Sequence, residues 1–308
     1  MKDCTIQGLP IPDDRIGRFA EYDGGLRATD QLQAAIERDG YVLLRGVLDR
    51  DGVMAARHEV FSRLEQVGEI KSPAVEGIAT GESRRRELAG DLNEFWRSVN
   101  TGSALRGVTH GKSVHEILRS ILAEQARGHD LMFLRPAAVG QGTRLHYDHP
   151  FFAGRSNRIL TAWIPLGDVP ITDGPLVAVE GSNRFDDFLD PIREVDYAAD
   201  RSNDVVQKVA YDKQNETDPI TLVTARGTRL LSSGFQAGDL VVFSGFLLHG
   251  SLDNRSPIGR VRLSCDVRYQ PAADPADDER YFGENPLGSS GGGYGAMKGA
   301  KPLTQPWA

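Results

Sequence analysis

Two histidines and one aspartate have the residue types and the spacing of a metal site. His146 and Asp148 lie two residues apart, in a segment that we predict to be a strand over residues 144–152. Side chains at i and i+2 of a strand project from the same face. His249 follows another apolar, strand-like run far downstream. Two imidazoles and one carboxylate cover one face of an iron(II) ion and leave the other positions open. The sequence therefore predicts His146, Asp148 and His249 as metal ligands.

The composition is that of a globular protein with an acidic surface. The chain has 308 residues, of which 40% are hydrophobic and 26% are charged, and its net charge is −7. A negative balance argues against non-specific binding of nucleic acid, which requires a basic face. With two cysteines, no apolar run of membrane-spanning length and no secretory pattern, we expect a cytoplasmic protein that binds neither nucleic acid nor membrane.

The order of the apolar patterns predicts the fold class. Helical spacing occurs in the first third, for example from about Asp51 to Val67. After Gly128, short β-rich runs alternate with turn residues; they are 131–134, 144–152, 159–165, 175–179, 240–243 and 261–269. We therefore predict a mainly β fold with flanking helices, a double-stranded β-helix of the jelly-roll or cupin-like kind. The chain 1–308 would form a single domain, with a helical third at about 29–127 on a core at about 130–270.

Two further segments interrupt or follow the predicted core. Residues 183–237 form a long polar stretch, which we interpret as an insertion that covers the site as a lid or is disordered. The glycine-rich tail, at about 284–308, is expected to be flexible or to fold back over the pocket or a second subunit. A homo-oligomer is therefore possible.

Several segments around the candidate ligands resemble one enzyme family. The chain resembles the phytanoyl-CoA dioxygenase family of iron(II)- and 2-oxoglutarate-dependent oxygenases from about residue 30 to 270. The segments that carry the resemblance are 39–46, 144–150, 161–166, 174–176, 180–182, 238–243, 249–251 and Arg260. The resemblance implies iron(II), with 2-oxoglutarate and O2 as co-substrates. It also implies hydroxylation of a small organic substrate, with release of succinate and CO2.

The co-substrate needs a cation for its far carboxylate. Arginine suits this role, because its planar fork donates two parallel hydrogen bonds to a carboxylate. Arg260 lies eleven residues after His249, the interval that the family uses, and Arg262 on the same strand face is the competing candidate. The resemblance also implies that Ser251 contacts the keto acid and that Trp163 lies near the metal, although Trp163 could equally be a core residue.

Two other functions are compatible with the same residues. One is a cupin-type metal enzyme, an isomerase or a zinc hydrolase, which would use neither 2-oxoglutarate nor Arg260. The other is a non-catalytic binding protein on a jelly-roll scaffold. Formation of succinate from 2-oxoglutarate would distinguish the oxygenase from both.

Overall fold

The computed structural model describes residues 3–152, 156–197, 217–283 and 302–304. Its strands are β1 (Thr5–Ile6), β2 (Leu9–Pro10), β3 (Ile16–Gly17), β4 (Tyr41–Leu44), β5 (Ala126–Ala137), β6 (Leu160–Pro165), β7 (Leu176–Val179), β8 (Leu230–Ser232), β9 (Leu240–Ser244), β10 (His249–Ser251) and β11 (Arg262–Pro271). Its helices are α1 (Thr29–Asp39), α2 (Arg50–Gln66), α3 (Arg85–Leu88), α4 (Leu92–Asn100), α5 (Ser103–Thr109), α6 (Lys112–Leu122), α7 (His149–Phe152), α8 (Asp186–Arg193) and α9 (Pro219–Ala225).

Two sheets in the described part of the chain face each other. One has five strands in the order β4-β9-β6-β11-β5, with antiparallel neighbours. The other has four strands in the order β10-β7-β8-β3, and only its β3–β8 pair is parallel. Side chains of both sheets meet in one apolar cluster, which includes Leu43, Trp163, Phe243, Ala178 and Leu231. The expectation of a mainly β fold with flanking helices is confirmed.

The helices of the first third cover the outer face of the five-stranded sheet. In α6, Val114, Ile117, Leu118 and Ile121 are buried, and their spacing of three and four residues places them on one helix face. They belong to the same apolar cluster as Cys265 and other outward-facing strand residues. The buried apolar stripe explains why this amphipathic segment is helical, and it fixes the helix against the sheet.

The predicted strand over 144–152 is wrong. Within it, only His146 forms an isolated β-bridge, and the chain then enters the short helix α7. Pro150 provides the physical reason: it lacks an N–H group for a strand ladder, but the first turn of a helix accepts it. His146 and Asp148 therefore do not owe their common direction to a regular strand.

The polar stretch 183–237 contributes to the scaffold where the structure describes it. It contains α8, α9 and strand β8, which pairs with β7. Residues 198–216 lie outside the described residues, as does most of the predicted tail, 284–301 and 305–308. Of the tail, Leu303 is buried in the apolar cluster that α6 forms with the five-stranded sheet, and its N–H donates to Glu69. No described helix is both long enough and apolar enough to cross a bilayer.

An aromatic cluster holds His129 in the interior at the start of β5. The imidazole is fully buried, stacks on Tyr281 at 5.2 Å between ring centroids, and lies 4.7 Å from the ring of Phe282. Its Nε2 lies 3.1 Å from Gln270 Oε1. Burial, assisted by the charge of Arg268, lowers the pKa of His129 to about 4 from its usual 6.5. The folded protein therefore keeps this imidazole neutral.

This buried imidazole makes stability depend on pH. Between pH 6.5 and about 4 the unfolded chain binds a proton at His129 that the folded protein does not bind, so stability falls as pH falls. We expect His129→Gln to remove up to about 1.4 kcal/mol per pH unit from the slope of unfolding free energy in this window. Denaturant unfolding at several pH values measures that slope. His58→Gln, at an exposed position, is the matched control, and equal slopes in H129Q and wild type would contradict the assignment.

Candidate metal centre

His146 and His249 are directly opposite each other in an antiparallel β-bridge. The N–H of His146 donates to the carbonyl of His249 at 2.8 Å, and the N–H of His249 donates back at 3.0 Å. Paired residues of such a bridge carry their side chains on the same side. The two imidazole centroids are accordingly 4.4 Å apart, and both rings are buried. Backbone pairing, rather than side-chain packing, brings the two histidines together.

The same local geometry orients both rings. His146 Nδ1 lies 2.8 Å from the carbonyl oxygen of Arg144, and His249 Nδ1 lies 3.0 Å from that of Leu247. A carbonyl only accepts, so Nδ1 carries the proton and Nε2 keeps its lone pair in each neutral ring. Hydrogen bonding of the remote ring nitrogen to a carbonyl is typical of metal-binding histidines. This donor set fits a metal ion.

Asp148 completes the group with one of its two oxygens. Its Oδ1 lies 3.5 Å from His146 Nε2 and 3.9 Å from His249 Nε2. Its Oδ2 accepts hydrogen bonds from Thr161 Oγ1 and from Arg268 Nη2, both at 2.6 Å. One ligand atom from each of the three residues lies within 4.8 Å of the others, and all three residues are buried. His146, Asp148 and His249 could therefore hold one metal ion.

The electrostatics keep the carboxylate ionised and one imidazole neutral. Burial alone would raise the pKa of Asp148, but the charge of Arg268, followed by the two histidines, holds that pKa well below its usual range. Burial, followed by the neighbouring His146, lowers the pKa of His249 to about 4. At neutral pH these are the ionisation states that metal coordination requires.

The strand β11 presents an unusual row of buried polar side chains. One face of β11 packs in the apolar cluster between the sheet and the helices, through Leu263, Cys265, Val267 and Tyr269. The alternate residues Arg262, Ser264, Asp266, Arg268 and Gln270 are equally buried on the opposite face. Arg135 on β5 pairs with Asp266 there. Sequence reasoning missed the roles of Thr161 and Arg268, although strict polar–apolar alternation over residues 262–270 was a readable signal.

The two candidate arginines have different partners. Arg260 is about one third exposed, and its Nη1 donates to the buried Asp173 at 3.1 Å.

Arg262 is 2% exposed, and its Nη2 lies 3.1 Å from Ser251 Oγ. The remaining partners of Arg262 are neutral acceptors: the Gly174 carbonyl, the Arg135 carbonyl and the Ser264 hydroxyl. No described carboxylate pairs with Arg262.

Trp163 and His149 are both buried, and each packs against another aromatic ring. Trp163 is buried between the two sheets, with its ring 4.7 Å from that of Phe235. It is on the same face of β6 as Thr161, two residues away. His149 stacks on Phe246 at 4.3 Å and is buried. Burial, with a contribution from Arg193, lowers the pKa of His149 to about 4.

Comparison with known proteins places the chain among enzymes. The profile of the family described as phytanoyl-CoA dioxygenase (PhyH) matches residues 36–261, more than half of the chain. The 1-deoxypentalenic acid 11-beta-hydroxylase of Streptomyces arenae is 27% identical, covering 88% of this chain and 85% of that protein. The ectoine dioxygenase of Bordetella bronchiseptica is 26% identical, covering 93% and 88% respectively.

Solved structures show the same fold at low identity. The epimerase SnoN, in complex with Fe3+, alpha ketoglutarate and nogalamycin RO, aligns with a TM-score of 0.53 and 20% identity over 85% of this chain and 92% of that one. The alpha ketoglutarate dependent carbocyclase SnoK aligns with a TM-score of 0.51 and 19% identity, covering 84% and 88%. The resemblance seen in the sequence is confirmed: the chain belongs to the phytanoyl-CoA dioxygenase family and is an iron(II)- and 2-oxoglutarate-dependent dioxygenase that hydroxylates a small organic substrate.

Proposed function

We propose that His146, Asp148 and His249 are the iron ligands of this dioxygenase and that Arg262 and Ser251 bind the far carboxylate of 2-oxoglutarate. The observation that carries the proposal is the convergence of three buried ligand atoms within 4.8 Å. Close to them, a buried arginine has only neutral hydrogen-bond partners among the described residues. A metal-binding triad and a separate anion-binding residue are the two parts that this chemistry needs.

The protein contributes orientation and charge to the reaction. When bound, iron(II), 2-oxoglutarate and dioxygen supply the oxidation, in which one oxygen atom enters a substrate C–H bond and the other converts 2-oxoglutarate to succinate and CO2. His146 and His249 present Nε2 because their Nδ1 protons are bound to backbone carbonyls. Asp148 provides one negative charge, which leaves the metal short of neutrality and favours an anionic keto acid.

Arg262 is the better candidate for the carboxylate anchor on physical grounds. Burying a charge without a counter-charge is costly, and buried charges in proteins are normally paired. Burial, followed by repulsion from Arg135, lowers the pKa of Arg262 to about 10, so it remains cationic at neutral pH. A carboxylate at Ser251 would provide the missing counter-charge through a bidentate hydrogen-bonded pair.

Arg260, the residue that sequence reasoning preferred, already has a carboxylate partner in Asp173. Binding 2-oxoglutarate through Arg260 would require this pair to separate and leave the buried Asp173 without its cation. The contacts therefore favour Arg262 over Arg260. Trp163 as a neighbour of the metal stays a prediction, and its contact with Phe235 supports a packing role.

The remaining expectations belong to the same proposal. We propose that the two facing sheets form a double-stranded β-helix, or jelly roll, since the triad joins β10 to the segment that precedes α7 and β6. A cytoplasmic location and a homo-oligomer stay predictions.

The surroundings of the ligands favour a substrate with an apolar skeleton. The ring of Phe151, which is only partly buried, lies 6.3 Å from that of His146, whereas Phe243 beside His249 belongs to the packed core between the sheets. An apolar side chain at this position binds a substrate by burying apolar surface, and it excludes water from the reacting groups. The similarity to a hydroxylase of 1-deoxypentalenic acid supports the same substrate class.

Loss of the carboxylate ligand should abolish the metal site. We expect Asp148→Ala to weaken binding of Co(II) or Fe(II) at least about 100-fold, because even residues that only support a ligand cost 10- to 100-fold. Calorimetric titration of metal into the apoprotein measures the affinity, and succinate formation measures the consequence. His149→Gln, which changes an adjacent histidine outside the triad, is the control. Metal binding by D148A at wild-type affinity would refute the ligand assignment.

The two arginines can be separated by a matched pair of variants. We expect Arg262→Met to raise the KM for 2-oxoglutarate by about 30-fold or more, since a charge-assisted pair to a carboxylate is worth about 2 kcal/mol or more. Arg260→Met should change this KM much less. Initial rates of succinate formation over a range of 2-oxoglutarate concentrations give both values, with Fe(II) affinity as the folding control. The reverse order of effects would return the anchor to Arg260.

Substrate polarity can be tested without knowing the natural substrate. Oxygen uptake and succinate should be stimulated by apolar carbocyclic acids more than by zwitterionic or polyhydroxylated compounds of similar size. The reason is that the partly buried ring of Phe151 beside His146 offers apolar contact. Stimulation by the polar compounds alone would reject an apolar skeleton. Absence of 2-oxoglutarate-dependent succinate under all conditions would instead favour a cupin-type enzyme.

A further inference from the structure

The carboxylate of Asp148 is used asymmetrically. Its Oδ2 accepts two hydrogen bonds of 2.6 Å, one from the Thr161 hydroxyl and one from the Arg268 guanidinium. Its Oδ1 faces the Nε2 atoms of His146 and His249. Charge-assisted bonds of this length are among the strongest that proteins form. The oxygen that faces the metal position and the oxygen that faces the scaffold are therefore chemically distinct.

Backbone register places the two donors side by side. Thr161 on β6 and Arg268 on β11 are direct cross-strand partners in the five-stranded sheet. Directly opposed residues project from the same face, so both reach the same oxygen of Asp148. The arrangement depends on sheet pairing and not on the flexible reach of a surface side chain.

The arginine has little freedom to leave this position. It is 1% exposed, and its Cζ lies 4.1 Å from the ring centroid of Phe152 and 5.0 Å from that of Phe133. Planar guanidinium groups bind well to such rings. Arg268 Nε and Nη1 have no hydrogen-bond partner among the described residues. Arg268 is thus fixed by its hydrogen bond to Asp148 and by packing of its guanidinium group against the two rings.

A carboxylate can bind a metal through one oxygen or through both. In a six-coordinate site, three positions go to the protein, two to a keto acid and one to dioxygen. Chelation by both oxygens of Asp148 would occupy the position that dioxygen needs. We propose that Thr161 and Arg268 are positioning residues that hold Oδ2 of Asp148 away from the metal and so keep one coordination position open for dioxygen. This inference rests on the proposed iron site.

Two matched substitutions at Thr161 test the hydroxyl. Thr161→Val removes the donor while keeping the shape, and Thr161→Ser keeps the donor. Nitric oxide, a stable probe of the dioxygen position, is titrated into the anaerobic Fe(II)–2-oxoglutarate form of each protein and followed by electron paramagnetic resonance. We expect T161V to bind nitric oxide about 10-fold more weakly, as for other residues that support a ligand, with T161S restoring binding.

Arg268→Met and Arg268→Lys repeat the comparison for the charge. R268M should weaken nitric oxide binding more than T161V does and raise the KM for oxygen more than it lowers kcat. R268K should recover part of the loss. In T161V and R268M the loss of Fe(II) affinity should be smaller than the loss of nitric oxide affinity, because chelation would replace the lost hydrogen bond with a metal bond, and T161S and R268K should bind Fe(II) more tightly than their partners T161V and R268M. This split between metal and gas affinity is the signature of positioning.

The outcomes separate this inference from the proposed function. Unchanged nitric oxide affinity in T161V and R268M would overturn the inference, as would an equal loss of iron and nitric oxide affinity, which indicates a structural role. If the wild-type protein shows no 2-oxoglutarate-dependent absorption band with Fe(II), the proposed function fails, whatever the variants do. Should R268M not fold, the T161V and T161S pair decides the question.

Discussion

The reciprocal backbone hydrogen bonds between His146 and His249 are the constraint on which the site depends. They join a loop before α7 to the first residue of β10, two regions far apart in the chain. A slip of one residue in this pairing would turn one imidazole to the opposite face. Both Nδ1 atoms are then fixed by carbonyls two residues earlier. The distance between the two imidazoles and their orientation thus follow from one local pairing.

Buried charge determines the arrangement around this pair. Arg135 is held by Asp266, and Arg268 is held by Asp148. These pairs follow from the cost of burying an uncompensated charge in a medium of low polarity. Arg262 differs from both, since its described partners are neutral. The same rule that stabilises the scaffold therefore distinguishes Arg262 as a buried cation without a carboxylate partner among the described residues.

Much of the fold could be predicted from local sequence patterns, and the predictions that failed did so for identifiable reasons. The runs at 159–165, 175–179 and 240–243 are strands within a residue of their expected ends, since apolar runs bounded by turns form strands in any context that buries them. The run at 144–152 failed because Pro150 cannot join a ladder. Strand β8 escaped notice because three residues have no periodicity, and only β7 and β3 make them a strand.

The sequence by itself determined the chemical types at the centre, the strict alternation along β11 and membership of the family. Only the tertiary structure decided which oxygen of Asp148 faces the histidines, and it gave Arg260 and Arg262 different partners. The reason is that Asp173, Ser251, Thr161 and Arg268 are brought to these groups by sheet register and by loops distant in the chain. Spacing fixes the direction of a side chain within one strand, but a partner from elsewhere decides what that side chain binds.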